Sequence, residues 1–182
     1  MPLVTCLVGW GIAGAPEGAG TSEPERSAAV QDGLEGAGPA TLTDLGTLGG
    51  RNSGAAAIDR HGRVVGWAES ADGSVRAFVW AAGHGMRSLG TLGGGESVAV
   101  AINDGGQVAG NSLARDGRRR AFLWTERDGM RDLGTLGGTE SVARDLNEHG
   151  EVVGQSLTAS GQLRAFRWTP TGGLRDLGTL GG

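Results

Sequence analysis

The sequence predicts an all-β protein built from tandem four-stranded antiparallel repeats, arranged like β-propeller blades in an open arc of about three blades. The motif Leu-Gly-Thr-Leu-Gly-Gly recurs every 44 residues, starting at positions 45, 89, 133 and 177. Four-stranded units of roughly 40–50 residues are typical of propeller blades. Glycine supplies 37 of the 182 residues, and each glycine inside a helix costs about 1 kcal/mol relative to alanine. The composition therefore disfavours helices.

The repeats define the domain organisation. We assign residues 41–182 to a β-repeat domain with complete units at 44–87, 88–131 and 132–175, followed by a partial unit at 176–182. A unit of this kind has two apolar sheet faces and needs neighbours to cover them, so we expect the units to stack.

Each unit is predicted to contain four short strands in the same columns. In the first unit the strands are Ala55–Ile58, Arg63–Trp67, Val75–Trp80 and Met86–Leu92. In the second they are Ala99–Ile102, Gln107–Asn111, Arg119–Trp124 and Met130–Leu136, and in the third Ala143–Leu146, Glu151–Gln155, Leu163–Trp168 and Leu174–Leu180. Because the connections are too short for a helical crossover, neighbouring strands should be antiparallel.

The connections carry glycine in matching columns. Gly62, Gly106 and Gly150 follow the first strand of each unit. Short hairpin loops need residues with positive φ, which glycine supplies without steric cost. We therefore predict that these glycines are structural repeat positions.

The third strand has one large and one small face. Arg76, Phe78 and Trp80 lie on one side of the strand and Ala77 on the other, because successive side chains alternate. This pattern suits sheets that stack face to face. The predicted structural positions of the other two units are Arg120, Phe122, Trp124, Arg164, Phe166 and Trp168.

Residues 1–40 form a separate, acidic segment rich in glycine and alanine. Residues 1–43 hold five acidic residues and one arginine, so they account for the whole net charge of −4. Such a composition indicates disorder. The first fifteen residues are mostly apolar and small, and Ala13-Gly14-Ala15 fits a signal-peptidase site, although no positive n-region precedes it. We predict a signal-like start followed by a disordered stretch.

No cofactor site is predicted in this segment. The residues Gly9 to Gly14 fit the dinucleotide fingerprint G-x-G-x-x-G. That fingerprint requires a helix immediately afterwards. Pro16, Gly18 and Gly20 follow instead, so a helix cannot begin there.

The repeat motifs resemble the HAF repeat family of bacterial extracellular proteins. The resemblance rests on Gly62–Gly66 (Gly-Arg-Val-Val-Gly), on Arg76–Trp80 (Arg-Ala-Phe-Val-Trp) and on Asp132–Gly138 (Asp-Leu-Gly-Thr-Leu-Gly-Gly). It covers about three quarters of the chain, residues 41–182. The family's His-Ala-Phe tripeptide reads Arg-Ala-Phe in all three units here. The resemblance implies export and a repeat architecture, and it brings with it no established enzymatic activity.

No catalytic or metal-ligating constellation is visible in the repeats. His61 and His149 share a turn column, but neither has a second histidine at ligand spacing. We expect Ser53, Ser97 and Ser141, which also share a column, to bond the loop between sheets. We expect the repeated arginines to cover the neighbouring tryptophans and to pair with aspartate or water.

These observations predict a non-enzymatic extracellular protein that acts as a binding or surface-interaction scaffold with an unknown ligand or partner. Two alternatives are a propeller-based carbohydrate-active enzyme, which needs paired carboxylates, and a truncated fragment of a longer repeat protein. The net charge argues against a nucleic-acid partner. The sequence also contains no apolar run long enough to cross a membrane as a helix. Open faces at the two ends of the repeats predict self-association.

Overall fold

The computed structural model describes residues 41–181 and places them in an all-β fold. These residues form twelve strands in three four-stranded antiparallel sheets, with no helix. The all-β prediction is therefore confirmed for the repeats. Internal contacts divide the chain into Met1–Thr43 and Asp44–Gly182, and the strands belong to the second unit. The predicted signal-like and disordered segment, 1–40, lies outside the described residues.

Each sheet is a meander in which strands pair with their neighbours in chain order. Sheet 1 contains β1 (Gly49–Ile58), β2 (Val64–Ser70), β3 (Val75–Ala81) and β4 (Gly85–Gly90). Sheet 2 contains β5 (Gly93–Ile102), β6 (Val108–Ala114), β7 (Arg119–Thr125) and β8 (Gly129–Asp132). Sheet 3 contains β9 (Gly137–Leu146), β10 (Val152–Thr158), β11 (Leu163–Thr169) and β12 (Gly173–Asp176).

The Leu-Gly-Thr-Leu-Gly-Gly motif lies between two sheets, which differs from the predicted strand bounds. The sequence places the whole second copy up to Leu92 in a fourth strand, but β4 ends at Gly90. Leu92 already forms a bridge with Ala114 of sheet 2, and β5 begins at Gly93. Gly90 and Gly93 have φ of 81° and 98°, which redirects the chain. The first strand of each sheet is consequently longer than predicted.

The sheets stack with a large face against a small one. Phe122 and Trp124 of sheet 2 pack in a core cluster with Val65 and Ala77 of sheet 1. Ala121, which follows the alternation of the strand, packs on the other side of sheet 2. The junction between sheets 2 and 3 repeats this arrangement, with Phe166 and Trp168 in the large positions and Ala109 and Ala121 in the small ones.

A glycine on the second strand makes room for the phenylalanine in sheets 2 and 3. A Cβ on Gly110 would lie 2.5 Å from the Phe122 ring and 2.2 Å from the carbonyl oxygen of Val98. Gly154 is crowded in the same way by Phe166 and Val142. Glycine in this column therefore follows from the close approach of a ring and a neighbouring strand.

Candidate functional site

A column of serines joins each sheet to the next. The Ser97 hydroxyl accepts the Ala77 backbone N–H at 2.9 Å and donates to the Gly90 carbonyl at 2.5 Å. Ser141 makes the same two bonds, at 3.0 Å to Ala121 and 2.6 Å to Gly134. The expectation that these serines bond the loop between sheets is confirmed, and Ser53 likewise donates to the Gly46 carbonyl at 2.7 Å. Ser97 and Ser141 are buried with two partners each, which makes them structural groups rather than nucleophiles.

The repeated third-strand arginines cross the same junctions. Arg76 Nη1 donates to the Gly95 carbonyl of sheet 2, and Arg120 Nη1 donates to the Thr139 carbonyl of sheet 3. Arg164, the third member of the column, instead donates to Gln162 in its own hairpin at 2.8 Å. Arg76 and Arg120 thus bind the backbone of the next sheet, and Arg164 does not.

The guanidinium groups that lie over the tryptophans come from the fourth strand. The expected pairing of third-strand arginines with aspartate is found at Arg120, whose Nη2 lies 3.3 Å from Asp116 Oδ2. The guanidinium carbons of Arg87 and Arg131 lie 5.3 Å from the ring centroids of Trp124 and Trp168. Each contact joins one sheet to the following sheet. Arg87, Arg131 and Arg175 occupy one sequence column, which is the signal for this role, but each arginine is distant in sequence from the tryptophan of the next sheet.

Arg87 also forms a forked ion pair across the first junction. Its Nη1 donates to Glu126 Oε1 at 2.8 Å, and Nη2 donates to the second carboxylate oxygen. The hydrogen bonds from Arg87 lower the pKa of Glu126 below its usual value. Arg87 therefore binds both an aromatic ring and a carboxylate of sheet 2.

The turns after the first strands stack into a polar ladder, which we call the turn stack (59–62, 103–106 and 147–150). Arg63 Nη2 donates to the Asp104 carbonyl at 2.9 Å. One step further, Asn103 Nδ2 donates to the Asn147 carbonyl at 3.0 Å. A Cβ on Gly106 would meet the Arg63 guanidinium at 2.6 Å. The glycine column of the turns, which also has positive φ, thus leaves space for the preceding turn.

Each turn is closed by a pair of side chains whose chemistry varies. Asp59 accepts from Arg63 Nε at 2.5 Å in the first turn, and Asn103 donates to Gln107 at 2.8 Å in the second. Burial acts to raise the pKa of Asp59, but hydrogen bonds from Arg63 and from the His61 backbone outweigh it and leave that pKa lowered. The third turn uses Asn147 and Glu151.

The histidines lie in exposed turns. His61 and His149 belong to the turn stack, and His84 lies in the turn before β4. Across residues 41–181, no three histidine, cysteine, aspartate or glutamate side chains gather in a way that could hold a metal ion. The described repeats thus offer no geometry for a metal centre.

A groove of about 440 Å³ opens on sheet 3. Its polar wall contains Glu151 and Arg167, which form an ion pair, and its other side contains Arg175 and Leu177. Hydrogen bonds from Arg167 and Asn147 lower the pKa of Glu151, so this carboxyl is ionised at neutral pH. The remaining lining residues are Thr169, Thr171, Gly172, Gly173 and Asp176.

Neither the scan against protein-family models nor the search of curated proteins finds a match for this chain. Among residues 41–181 there is also no helix with the length and apolar character needed to cross a membrane.

Proposed function

We propose that this protein is a non-enzymatic scaffold for binding or surface interaction. One observation carries the proposal: the polar side chains that recur in every unit are used to join sheets. At the two described junctions, contacts with the neighbouring sheet are made by Ser97, Ser141, Arg76, Arg120, Arg87 and Arg131. The recurring chemistry therefore maintains the stack, and recognition is left to the exposed surfaces.

In this proposal the three sheets are consecutive blades of a propeller-like arc. Support comes from the equivalence of the two junctions, in which a large face meets a small face with the same bonds. Four-stranded antiparallel meanders packed in this way are the units of propellers.

The groove on sheet 3 favours binding over catalysis. A glycosidase needs a protonated carboxyl near neutral pH together with a second, ionised carboxyl. The hydrogen bond from Arg167 keeps Glu151 ionised, so Glu151 does not suit the role of the protonated carboxyl in such an enzyme. Two arginines and two threonine hydroxyls around it suit the binding of polar groups.

The proposal also places the protein outside a bacterial cell, supported by the resemblance of its motifs to HAF repeats and by its signal-like start. Export can be tested by expressing the full chain and a variant that begins at Pro16 in a bacterium, then fractionating the cells. The full chain should be exported and the shortened variant retained. Equal retention of both would contradict export.

Binding and catalysis can be separated in one experiment with washed bacterial envelopes and insoluble polysaccharides as probes. We expect the chain to co-sediment with at least one probe and to release no reducing sugar from any. Sugar release that is lost in the Glu151→Gln variant would establish the enzyme instead. A chain that neither co-sediments nor releases sugar would contradict a surface scaffold.

A further inference from the structure

The groove on sheet 3 occupies the place where a tryptophan lies at the two internal junctions. Its Arg175 and Leu177 are the counterparts of Arg131 and Leu133 on sheet 2. Arg131 lies over Trp168, and Leu133 shares a core cluster with that ring. Leu133 is only 5% exposed, whereas Leu177 is 59% exposed. The groove is therefore an indole slot that no described residue fills.

Sheet 3 carries further residues whose counterparts in sheets 1 and 2 contact the next sheet. We call this surface the back face (Arg164, Ala165, Arg175 and Leu177). The backbone N–H of Ala121 is bound by a serine of the next sheet, and no serine among residues 41–181 binds the corresponding N–H of Ala165. Ala165 is exposed, while Ala77 and Ala121 are fully buried. Arg164 likewise reaches no carbonyl of another sheet within the described part of the chain.

Sheet 1 presents the complementary halves, which we call the front face (Ser53, Ala55, Ile58 and Trp80). Ile58 is 67% exposed, whereas its counterpart Leu146 on sheet 3 is buried. Ser53 and Ala55 are exposed too, while Ser97 and Ala99 in the same columns are buried. Within residues 41–181, no guanidinium lies over the half-buried Trp80, unlike Trp124 and Trp168.

We propose that the back face of one copy docks on the front face of a second copy, head to tail, with Trp80 entering the slot beneath Arg175. Ser53, whose hydroxyl already donates to the Gly46 carbonyl, then accepts from Ala165 N–H, and Arg164 donates to the Arg51 carbonyl. Leu177 of the second copy takes the place that Leu45 holds beside Phe78 and Trp80 in the single chain, so docking displaces Leu45 from this face. Only a sheet with this repeat pattern carries the serine, the alanine and the indole at matching positions. The inference does not depend on the proposed scaffold function, and docking would occupy the same groove that the proposed function offers to polar ligands.

One feature sets the strength of this contact. Arg167 stands where the internal junctions have Val79 and Leu123, so docking places an ion-paired arginine at an apolar position. Desolvating this group opposes binding. The Arg167–Glu151 pair therefore weakens the docking and makes it dependent on concentration. The middle unit has Gln107 and Leu123 in these two columns, which suggests the variant that restores a fully apolar slot.

Because the contact joins two different faces, a complementation experiment is possible. The front face is disabled in Trp80→Ala, or in Ile58→Arg should the tryptophan variant fold poorly, and the back face is disabled in Arg175→Ala. We expect the full-length wild type to gain mass with concentration in sedimentation velocity, and each variant alone to remain a monomer. An equimolar mixture of a front-face and a back-face variant should form a dimer, because one intact contact remains. Head-to-tail contacts either close a ring or extend as a chain, and both results support the proposal.

Two further variants sharpen the experiment. The double variant Glu151→Gln with Arg167→Leu should tighten the association about tenfold or more, which corresponds to about 1.4 kcal/mol. Arg127→Ala removes an exposed arginine that belongs to neither face and should associate like the wild type. The proposal is overturned if the wild type and the double variant stay monomeric at all concentrations, or if the face variants associate as the wild type does.

Discussion

At the scale of single residues, the fold depends on a ring that occupies the space above a glycine. Phe122 is fully buried, and Gly110 on the neighbouring strand has no room for a methyl group. Both the ring and the Val98 carbonyl would have to move to admit a Cβ. Because the backbone cannot give way easily inside a three-sheet stack, this position is more restrictive than a turn glycine.

We expect Gly110→Ala to destabilise the protein by about 3 kcal/mol, as overpacking in a core does. Gly95→Ala is the matched control, because a Cβ there would meet nothing within 4 Å and its φ is not positive. That control should stabilise by about 0.4–1 kcal/mol through lower unfolded-state entropy. Urea unfolding gives both values, and equal effects would refute the packing argument.

The tryptophan of the middle sheet should be more sensitive to truncation than the tryptophan of the first sheet. Trp124 is 8% exposed and is covered by Arg87. We expect Trp124→Ala to cost about 3–5 kcal/mol. Trp80→Ala should cost less, since that ring is only half-buried. Chemical denaturation of both variants tests this, and a loss below about 1 kcal/mol at Trp124 would contradict the assigned burial.

At the scale of elements, the turn stack solves one structural problem with different chemistry in each turn. The first turn uses an Asp59–Arg63 ion pair, and the second uses an Asn103–Gln107 amide pair. In both turns the side chain at the first position also accepts a backbone N–H. The hydrogen bonds between successive turns are therefore compatible with either pair. Of these two pairs, only Asp59–Arg63 contains a carboxyl group that can be protonated at acidic pH.

This difference predicts a local pH dependence. The pKa of Asp59 is lowered in the folded protein, so its contribution to stability is complete above its unfolded pKa and is lost as the pH falls through the folded value. The double variant Asp59→Asn with Arg63→Gln should lose less stability than the wild type between about pH 5 and pH 2. Parallel acid-dependent unfolding curves would contradict this. Glu96→Gln, at an exposed position of β5, is the comparison variant.

The sequence was sufficient to predict the strands and hairpins but not their division into sheets. Turn glycines and alternating side chains are local signals, so the antiparallel meander could be predicted. The boundary at Gly90 and Gly93 could not, because a motif identical in every unit does not reveal which of two sheets its halves join. Arg87 and Trp124 pair between sheets, a relation that sequence proximity does not report. The serine bonds to the loop could be predicted because each serine lies close in sequence to its acceptor, seven residues after it in the structure.

At the scale of the whole molecule, stability should be graded from the middle sheet outwards. Sheet 2 has a packed neighbour on both faces, whereas sheets 1 and 3 each contribute to one described junction. In a stack with nearest-neighbour contacts, the outer units open before the inner one.

Native-state hydrogen exchange can measure this gradient. The amides of β6 and β7 should exchange more slowly than those of β10 and β11, at concentrations where the chain is monomeric. Trp168→Ala should reduce protection in sheet 3 more than in sheet 1. Uniform protection in all three sheets would mean that the repeats unfold as one cooperative unit.

The unbroken spacing of 44 residues has a consequence for how such genes can change. Each sheet touches the next through residues in fixed columns, so recombination between any two copies of the repeat, at any matched position, removes or adds one whole sheet. A breakpoint in a column that is identical in every unit yields an intact junction, including one inside the Leu-Gly-Thr-Leu-Gly-Gly motif, whose halves belong to different sheets. A breakpoint between the two members of a turn pair would instead mismatch them, for example by placing Asp59 next to the glutamine of the second turn. Repeat number can therefore drift between generations without a folding penalty at seams of the first kind, and the side chains of the two outer faces become the place where selection acts on array length.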